Sequence, residues 1–293
     1  MLYTIENDFL KVDITDEGAQ MMSLVGKKTG FEYLWQGDAT YWASRATVLF
    51  PICGRLTDGK YTYGGNTYEM VLHGFAKLST FKVAMQNRTS ITMELRANEE
   101  SRKIYPFDFV LRMSYILDGA SVKTVFEVTN PSEPDLPFSV GGHPGFNVPF
   151  CSGEAFTDYY LEFACKKDCR RLVMSPTCYY TGETAPMALE DGKILRLDHG
   201  LFDDDAIFLE GMCNTVSLKS EKNNRAITVT WKDMTHVGFW HKPKTEAPYV
   251  CIEPWHGVPA YDGKIDDFAT KNEFMHLAKG EKKTLSFTVT VTE

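Results

Sequence analysis

Three side chains of this 293-residue chain have the types and settings for proton transfer. Glu253 ends an apolar run, Val250-Cys251-Ile252-Glu253-Pro254-Trp255. By the two-residue period of a strand, Tyr249, Cys251 and Glu253 share one face and Val250 and Ile252 the other. Pro254 keeps Glu253 extended and stops the run. A carboxylate held this way beside Trp255 is a candidate base, or else an edge-strand Glu paired with a lysine. His143 sits in Ser139-Val140-Gly141-Gly142-His143-Pro144-Gly145-Phe146, where two glycines let another backbone or a ligand approach. His73 lies in Leu72-His73-Gly74-Phe75. A histidine in such a bend is either a titrating group or a turn residue bonded to a carbonyl.

Around these stand groups suited to holding hydroxyls. Arg55, between Gly54 and an Asp58-Gly59 turn, offers a planar fork of donors that suits hydroxyl or carboxylate oxygens; a structural ion pair is the other reading. Phe75, Phe146, Trp240 and Trp255 can form an apolar floor or belong to the core. An aromatic face beside polar forks matches a sugar ring, with C–H bonds on one side and hydroxyls at the edge. His199, His236, His241, His256 and His276 lack comparable settings, and of these only His241 and His256 lie close enough to the key strands to stand at a rim.

Several chemistries are disfavoured. No Gly-rich phosphate loop, dinucleotide fingerprint or Gly-x-Ser-x-Gly elbow is present. His73, His143 and Glu253 could in principle form a facial metal triad, but neither histidine has a His-x-His or His-x-Asp neighbour, and no metal or cofactor is expected. Cys165, Cys169 and Cys178 lack a second paired set and read as structural thiols. A net charge of −8 disfavours a nucleic-acid surface. No apolar stretch reaches the length of a membrane span. Seven irregularly spaced cysteines, and a start at Met1 without a signal-like pattern, predict free thiols in a reducing cytoplasm.

The elements that must position these groups are strands. Alternation recurs in Leu10–Ile14, Ile91–Leu95, Phe107–Tyr115, Val122–Val128, Ile227–Trp231 and Leu285–Val291. Turn pairs such as Gly64-Gly65, Asp118-Gly119 and Asp262-Gly263 separate them. With 43% hydrophobic residues the chain can bury a large core without staples. The pattern predicts one all-β domain of stacked antiparallel sheets over residues 1–293. Short helical turns are expected in 39–50 and 266–271, and 151–191 reads as a surface excursion.

Gly54-Arg55, His73-Gly74-Phe75, Gly142-His143-Pro144-Gly145-Phe146-Asn147, Asp203-Asp204-Asp205-Ala206-Ile207-Phe208 and Ile252-Glu253-Pro254-Trp255 occur in one order along most of the chain. In this the sequence resembles the aldose 1-epimerases (galactose mutarotases), most of all their LacX-like branch. It departs from the better-known galactose enzymes at Pro51 and Gly142, where those carry Asn. The resemblance implies a large antiparallel β-sandwich with an open cleft for a hexose or hexose phosphate. It implies Glu253 as general base at the anomeric hydroxyl and His143 as general acid at the ring oxygen. His73 and Arg55 would position the substrate, and Asp205 would accept sugar hydroxyls, with Asp203 and Asp204 as alternatives for that last role. The acid and base are expected to face each other across a gap about as wide as a pyranose. A non-catalytic sugar-binding or sensor protein on the same fold is the other functional reading, and a glycoside-processing enzyme using Glu253 and Asp205 a third. The sequence leaves the oligomeric state open.

Overall fold

A computed structural model describes residues 1–293. Two sheets dominate it. The nine-stranded sheet runs, in spatial order, Ile194–Arg196, Tyr159–Phe163, Thr215–Ser220, Ala226–Lys232, Lys282–Thr292, Ser121–Thr129, Val110–Asp118, Ser90–Arg96 and Lys82–Gln86. The seven-stranded sheet runs Tyr180–Pro186, Arg170–Met174, Ile207–Glu210, His236–Trp240, Tyr249–His256, Val140–Asn147 and Ala46–Leu49. Every strand pair in both is antiparallel. The all-β expectation is met, and no helix is long and apolar enough to cross a membrane.

The alternation read from the sequence becomes the inner face of the larger sheet. Val122, Phe126 and Val128 are buried opposite Val289, Leu285 and Lys283, and the inward rows join a hydrophobic cluster that extends from Ile5 to Val291. Phe287 projects from this sheet onto the smaller one. A Cβ at Gly142 would lie 2.5 Å from the Phe287 ring, and one at Gly141 2.6 Å from Trp255 Cδ1. The two glycines before His143 therefore admit core side chains on opposite faces of their strand, where the sequence suggested a ligand or a backbone.

Three sequence expectations need correction for physical reasons. The stretch 39–50 begins with one turn, in which the Asp38 carbonyl accepts the Trp42 N–H, but Ala46–Leu49 is a fully buried strand against Val140–Asn147, and its neighbours' ladder decides the conformation. In 266–271 the expected turn, with the Thr270 N–H donating to the Asp267 carbonyl, follows a two-residue strand, Asp266–Asp267, that pairs in parallel with Tyr61–Thr62. The stretch 151–191 is no excursion, since Tyr159–Phe163, Arg170–Met174 and Tyr180–Pro186 extend both large sheets. The short α-helix, Glu99–Ile104, was not anticipated. Asn98 caps it by accepting the Ser101 N–H at 2.8 Å, with acidic residues in the first turn and basic ones in the last, as the helix dipole favours. The cysteines are also not all free: Cys165 and Cys213 form a disulfide, leaving five unpaired.

One turn carries strain that the fold must hold. His73 and Gly74 both have positive φ, 64° and 73°. A Cβ at Gly74 would lie 2.2 Å from the Phe50 carbonyl oxygen, a backbone atom that cannot swing away. Gly64 has a similar φ of 58° with nothing within 4 Å. Gly64→Ala should therefore lose only the left-handed strain of about 1 kcal/mol, and Gly74→Ala should lose roughly 3 kcal/mol or more because overlap is added. Urea unfolding midpoints of the two variants test this, and equal losses would refute the packing account.

Candidate active site

The register of two neighbouring strands brings His143 and Glu253 together. Gly141 pairs with Trp255 and Gly145 with Cys251, so His143 and Glu253 occupy facing positions midway between those pairs. Pro144 and Pro254 stand beside them and have no N–H to give the ladder. His143 Nε2 lies 3.4 Å from Glu253 Oε2. The two groups are thus adjacent, and the expected pyranose-wide gap between them does not exist. Adjacency fits anomer chemistry better, because the anomeric hydroxyl and the ring oxygen are both bonded to C1.

The pair is nearly dry, with His143 8% and Glu253 1% exposed. Trp42 lies over the imidazole, with ring centroids 4.8 Å apart and planes 32° apart, and Trp240 meets it edge-on at 5.5 Å. Burial, with the Lys77 charge adding to it, drives the His143 pKa down to about 3. Burial, and then the Asp205 charge, pushes the Glu253 carboxyl well above its ordinary value. Both shifts favour the uncharged forms, a protonated Glu253 beside a neutral His143. Glu253 Oε1 and His143 Nδ1 have no hydrogen-bond partner in the protein.

His73 completes the centre from the left-handed turn. Its Nδ1 accepts the Gly54 N–H at 3.1 Å. The ring proton therefore sits on Nε2, which makes His73 a hydrogen-bond donor and not a base. Its ring lies 5.4 Å from that of His143 and 5.5 Å from Trp255. Burial first, then the nearby His143, Lys77 and Arg55, hold it neutral.

The cleft around these groups has a volume of about 520 Å³. Arg55 Nη2 donates to Asp205 Oδ2 at 3.0 Å, and both residues line the cleft. Of the three neighbouring aspartates Asp205 is the one in that lining; Asp203 instead accepts the Lys244 N–H at 3.1 Å. Trp255 and Trp240 are also in the wall. Phe75 is not. It is buried among Phe50, Tyr105 and Phe109, because the turn at His73-Gly74 sends successive side chains to opposite sides. Phe146 is likewise core, and His241 is buried against His199 and the Lys242 carbonyl. Trp42, Gln20, Ser44 and Lys77 line the cleft without having been singled out as a group. Trp42 gave no signal because its stretch read as helical.

One nitrogen, one sulfur and one oxygen, from His143, Cys251 and Glu253, lie within 4.8 Å of one another. This trio has Cys251 in place of the His73 of the facial triad weighed from sequence. Cys251 packs with Trp35, Ala247 and Tyr249, and burial, with the nearby Glu253, pushes its thiol well up.

The chain is similar to several known proteins. LacX of Lactococcus lactis subsp. lactis is 34% identical over 266 residues, 88% of each chain. A galactose mutarotase related enzyme from Lactobacillus acidophilus superposes with a TM-score of 0.94 at 37% identity, over 100% of this chain and 98% of that one. A galactose mutarotase-like protein from Lactobacillus casei gives 0.95 at 30% identity over the whole of both chains. The sequence pattern of the aldose 1-epimerases matches residues 1–288, and the chain belongs to the aldose 1-epimerase family.

Proposed function

We propose that this protein interconverts the α and β anomers of an aldohexose by general acid and base catalysis. The observation that carries the reading is the pairing of His143 and Glu253, 3.4 Å apart and set side by side in the wall of the cleft. An anomeric hydroxyl that donates to the Glu253 carboxyl stabilises the carboxylate and favours the proton on His143. Glu253 then takes the O1 proton while His143 gives its proton to the ring oxygen. The C1–O5 bond breaks and C1=O1 forms. The aldehyde turns about C1–C2, O5 adds to its other face, and the two protons return. No net proton is gained or lost, so a pair carrying one proton serves both directions.

The other groups hold the ring while C1 turns. His73 Nε2–H, the Arg55 fork and the Asp205 carboxylate supply the donors and acceptor that hydroxyls need, and Trp255 and Trp240 supply apolar faces for C–H bonds. Each correctly placed acid or base contributes about 10²- to 10⁴-fold in rate.

Anomer exchange measured by NMR on several hexoses tests the proposal. Exchange faster than buffer alone is expected. Saturable binding without faster exchange assigns the cleft to a sugar-binding protein instead. Glu253→Gln should lower kcat by at least about 10²-fold.

The same variant should be more stable than the parent in alkali. A carboxyl whose pKa is raised by folding ionises first in the unfolded chain. Stability is therefore lost as pH rises from the ordinary value of 4.5 through the folded value, and Gln has no proton to lose. The difference in urea midpoint should widen in favour of Glu253→Gln between pH 5 and pH 8, and a constant difference would contradict the buried carboxyl.

The pH profile of kcat/KM gives a further check. Below about 3 both groups are protonated and no base remains. Above the raised Glu253 value both are deprotonated and no acid remains. The acid limb should fall near 3 and not at the ordinary histidine value, and loss of activity on acidification through 6.5 would contradict the dry pair.

A further inference from the structure

A buried polar cluster stands apart from the proton transfers. Lys271 is 6% exposed and Asp266 1%. Lys271 Nζ donates to Asp266 Oδ2 at 2.8 Å and lies 3.6 Å from Glu273 Oε2. Glu273 Oε1 accepts the Tyr261 hydroxyl, and the same ammonium lies 5.3 Å from the centroid of the Tyr261 ring. Burial first, then the bond to Glu273, push the Tyr261 phenol up, so it stays a donor. The anchor is itself fixed. The Asp266 strand pairs with Tyr61–Thr62, and Phe268 stacks on Tyr61 with centroids 3.6 Å apart. A buried ion pair is weak ground for stability, because well-packed apolar residues of similar volume often serve as well or better. What this cluster does supply is direction, since it holds the Tyr261 side chain by its tip.

The main chain around Tyr261 is where that direction matters. The Ala260 N–H donates to the Arg55 carbonyl at 2.9 Å, and the Tyr261 carbonyl accepts the Thr57 hydroxyl at 3.1 Å. Pro259 packs on the residue before Arg55: a Cβ at Gly54 would lie 2.7 Å from Pro259 Cγ. On its other side the segment meets Tyr180. The Tyr180 N–H donates to the Ala260 carbonyl at 3.0 Å, the Asp262 N–H donates to the Tyr180 carbonyl at 2.8 Å, and the Tyr180 and Tyr261 rings lie 5.2 Å apart. Tyr180 opens the strand that follows Thr177, whose carbonyl accepts from Arg55 Nη1 at 3.4 Å. Residues 259–262 thus hold Arg55 twice, through its own backbone and through the hairpin that its guanidinium touches. We infer that Tyr261, anchored by Glu273 and Lys271, is a positioning residue that aims the Arg55 fork at Asp205 and at the sugar hydroxyls. The inference rests on the mutarotase reading for what Arg55 holds. The Arg55 side chain is 38% exposed, so without support it would lose rotamer freedom each time a sugar bound. Fixing the fork beforehand lowers that cost.

Tyr261→Phe removes one hydroxyl and keeps the ring. In NMR exchange on a hexose that the parent turns over, it should raise KM about three- to tenfold and leave kcat within about twofold. Glu273→Leu should act alike, and Glu273→Gln, which still accepts the hydroxyl, should recover most of the affinity. In an Arg55→Met background Tyr261→Phe should change KM no further, because the residue through which it acts is gone. An unaltered KM, a loss confined to kcat, or additive effects with Arg55→Met overturn the inference and leave the mutarotase reading standing. Should Tyr261→Phe fail to fold, the two Glu273 variants decide, and an equal KM in both overturns it. If no sugar exchanges, the mutarotase reading fails, and the guanidinium itself is followed by NMR. The Arg55 side-chain N–H signals, identified as those missing from Arg55→Met, should exchange faster with solvent in Tyr261→Phe. An unaltered exchange rate overturns the inference.

Discussion

The structure depends on placing a carboxyl and an imidazole side by side where water is scarce. Neither group is comfortable there. An isolated ionised carboxylate in a low-dielectric interior is strongly disfavoured, and so is an imidazolium. Burial favours the uncharged form of each, a protonated carboxyl beside a neutral imidazole. The strands Val140–Asn147 and Tyr249–His256 impose this closeness through register, and each carries a proline next to its functional residue. A one-residue slip of either strand would send its side chain to the opposite face and part the two groups. The Gly141–Trp255 and Gly145–Cys251 pairs on either side prevent it, since each glycine admits a side chain that a Cβ would displace.

The larger sheet does no chemistry of its own, yet the site needs it. Phe287 stands behind Gly142, one residue before His143, and Thr124, its partner across the ladder, lies in the same inward row. Rigid backing of this kind keeps the imidazole from relaxing away from Glu253. The left-handed pair His73-Gly74 is a second place where the fold holds an unfavourable conformation. A histidine at φ 64° is strained, and the bond from the Gly54 N–H to its Nδ1 is part of what retains it there. That bond also sets the tautomer, so the strained turn delivers a donor to the cleft.

The fold was legible in the sequence wherever one face of a strand is buried and the other is not. Val122–Val128 and Leu285–Val291 alternate because half of each strand meets water. Ala46–Leu49 was misread because all four of its residues are buried, which removes the period. Glu253, His143, His73 and Arg55 were legible because polar residues interrupt apolar strands beside glycine and proline. Phe75 was misassigned because spacing along a chain does not reveal the sense of a left-handed turn. Trp42 and Gln20 were invisible for a different reason. A tryptophan stacked on a histidine and a glutamine with three bonds to one oxygen are defined by partners distant in the sequence, and nothing local marks them.

On the proposed mutarotase reading, the dry pair also accounts for the size of a chain given so simple a reaction. Ring opening needs one proton moved each way, which two side chains can do, but only if their affinities for that proton are brought close. In water a carboxylate and an imidazole differ by about two pKa units, with the proton on the imidazole. Burial raises one affinity and lowers the other, so the order reverses in the empty cleft. A substrate hydroxyl donating to Glu253 moves the balance back. On that reading the proton is easily exchanged only when sugar is present, and the energy for that change comes from contacts the sugar itself makes. Achieving such a shift requires walls on every side of the pair: Trp42 above, Trp240 at the edge, Trp255 and Phe208 below the cleft, and the large sheet behind. A smaller sandwich could supply the two residues but not the dryness that makes them equal to the task.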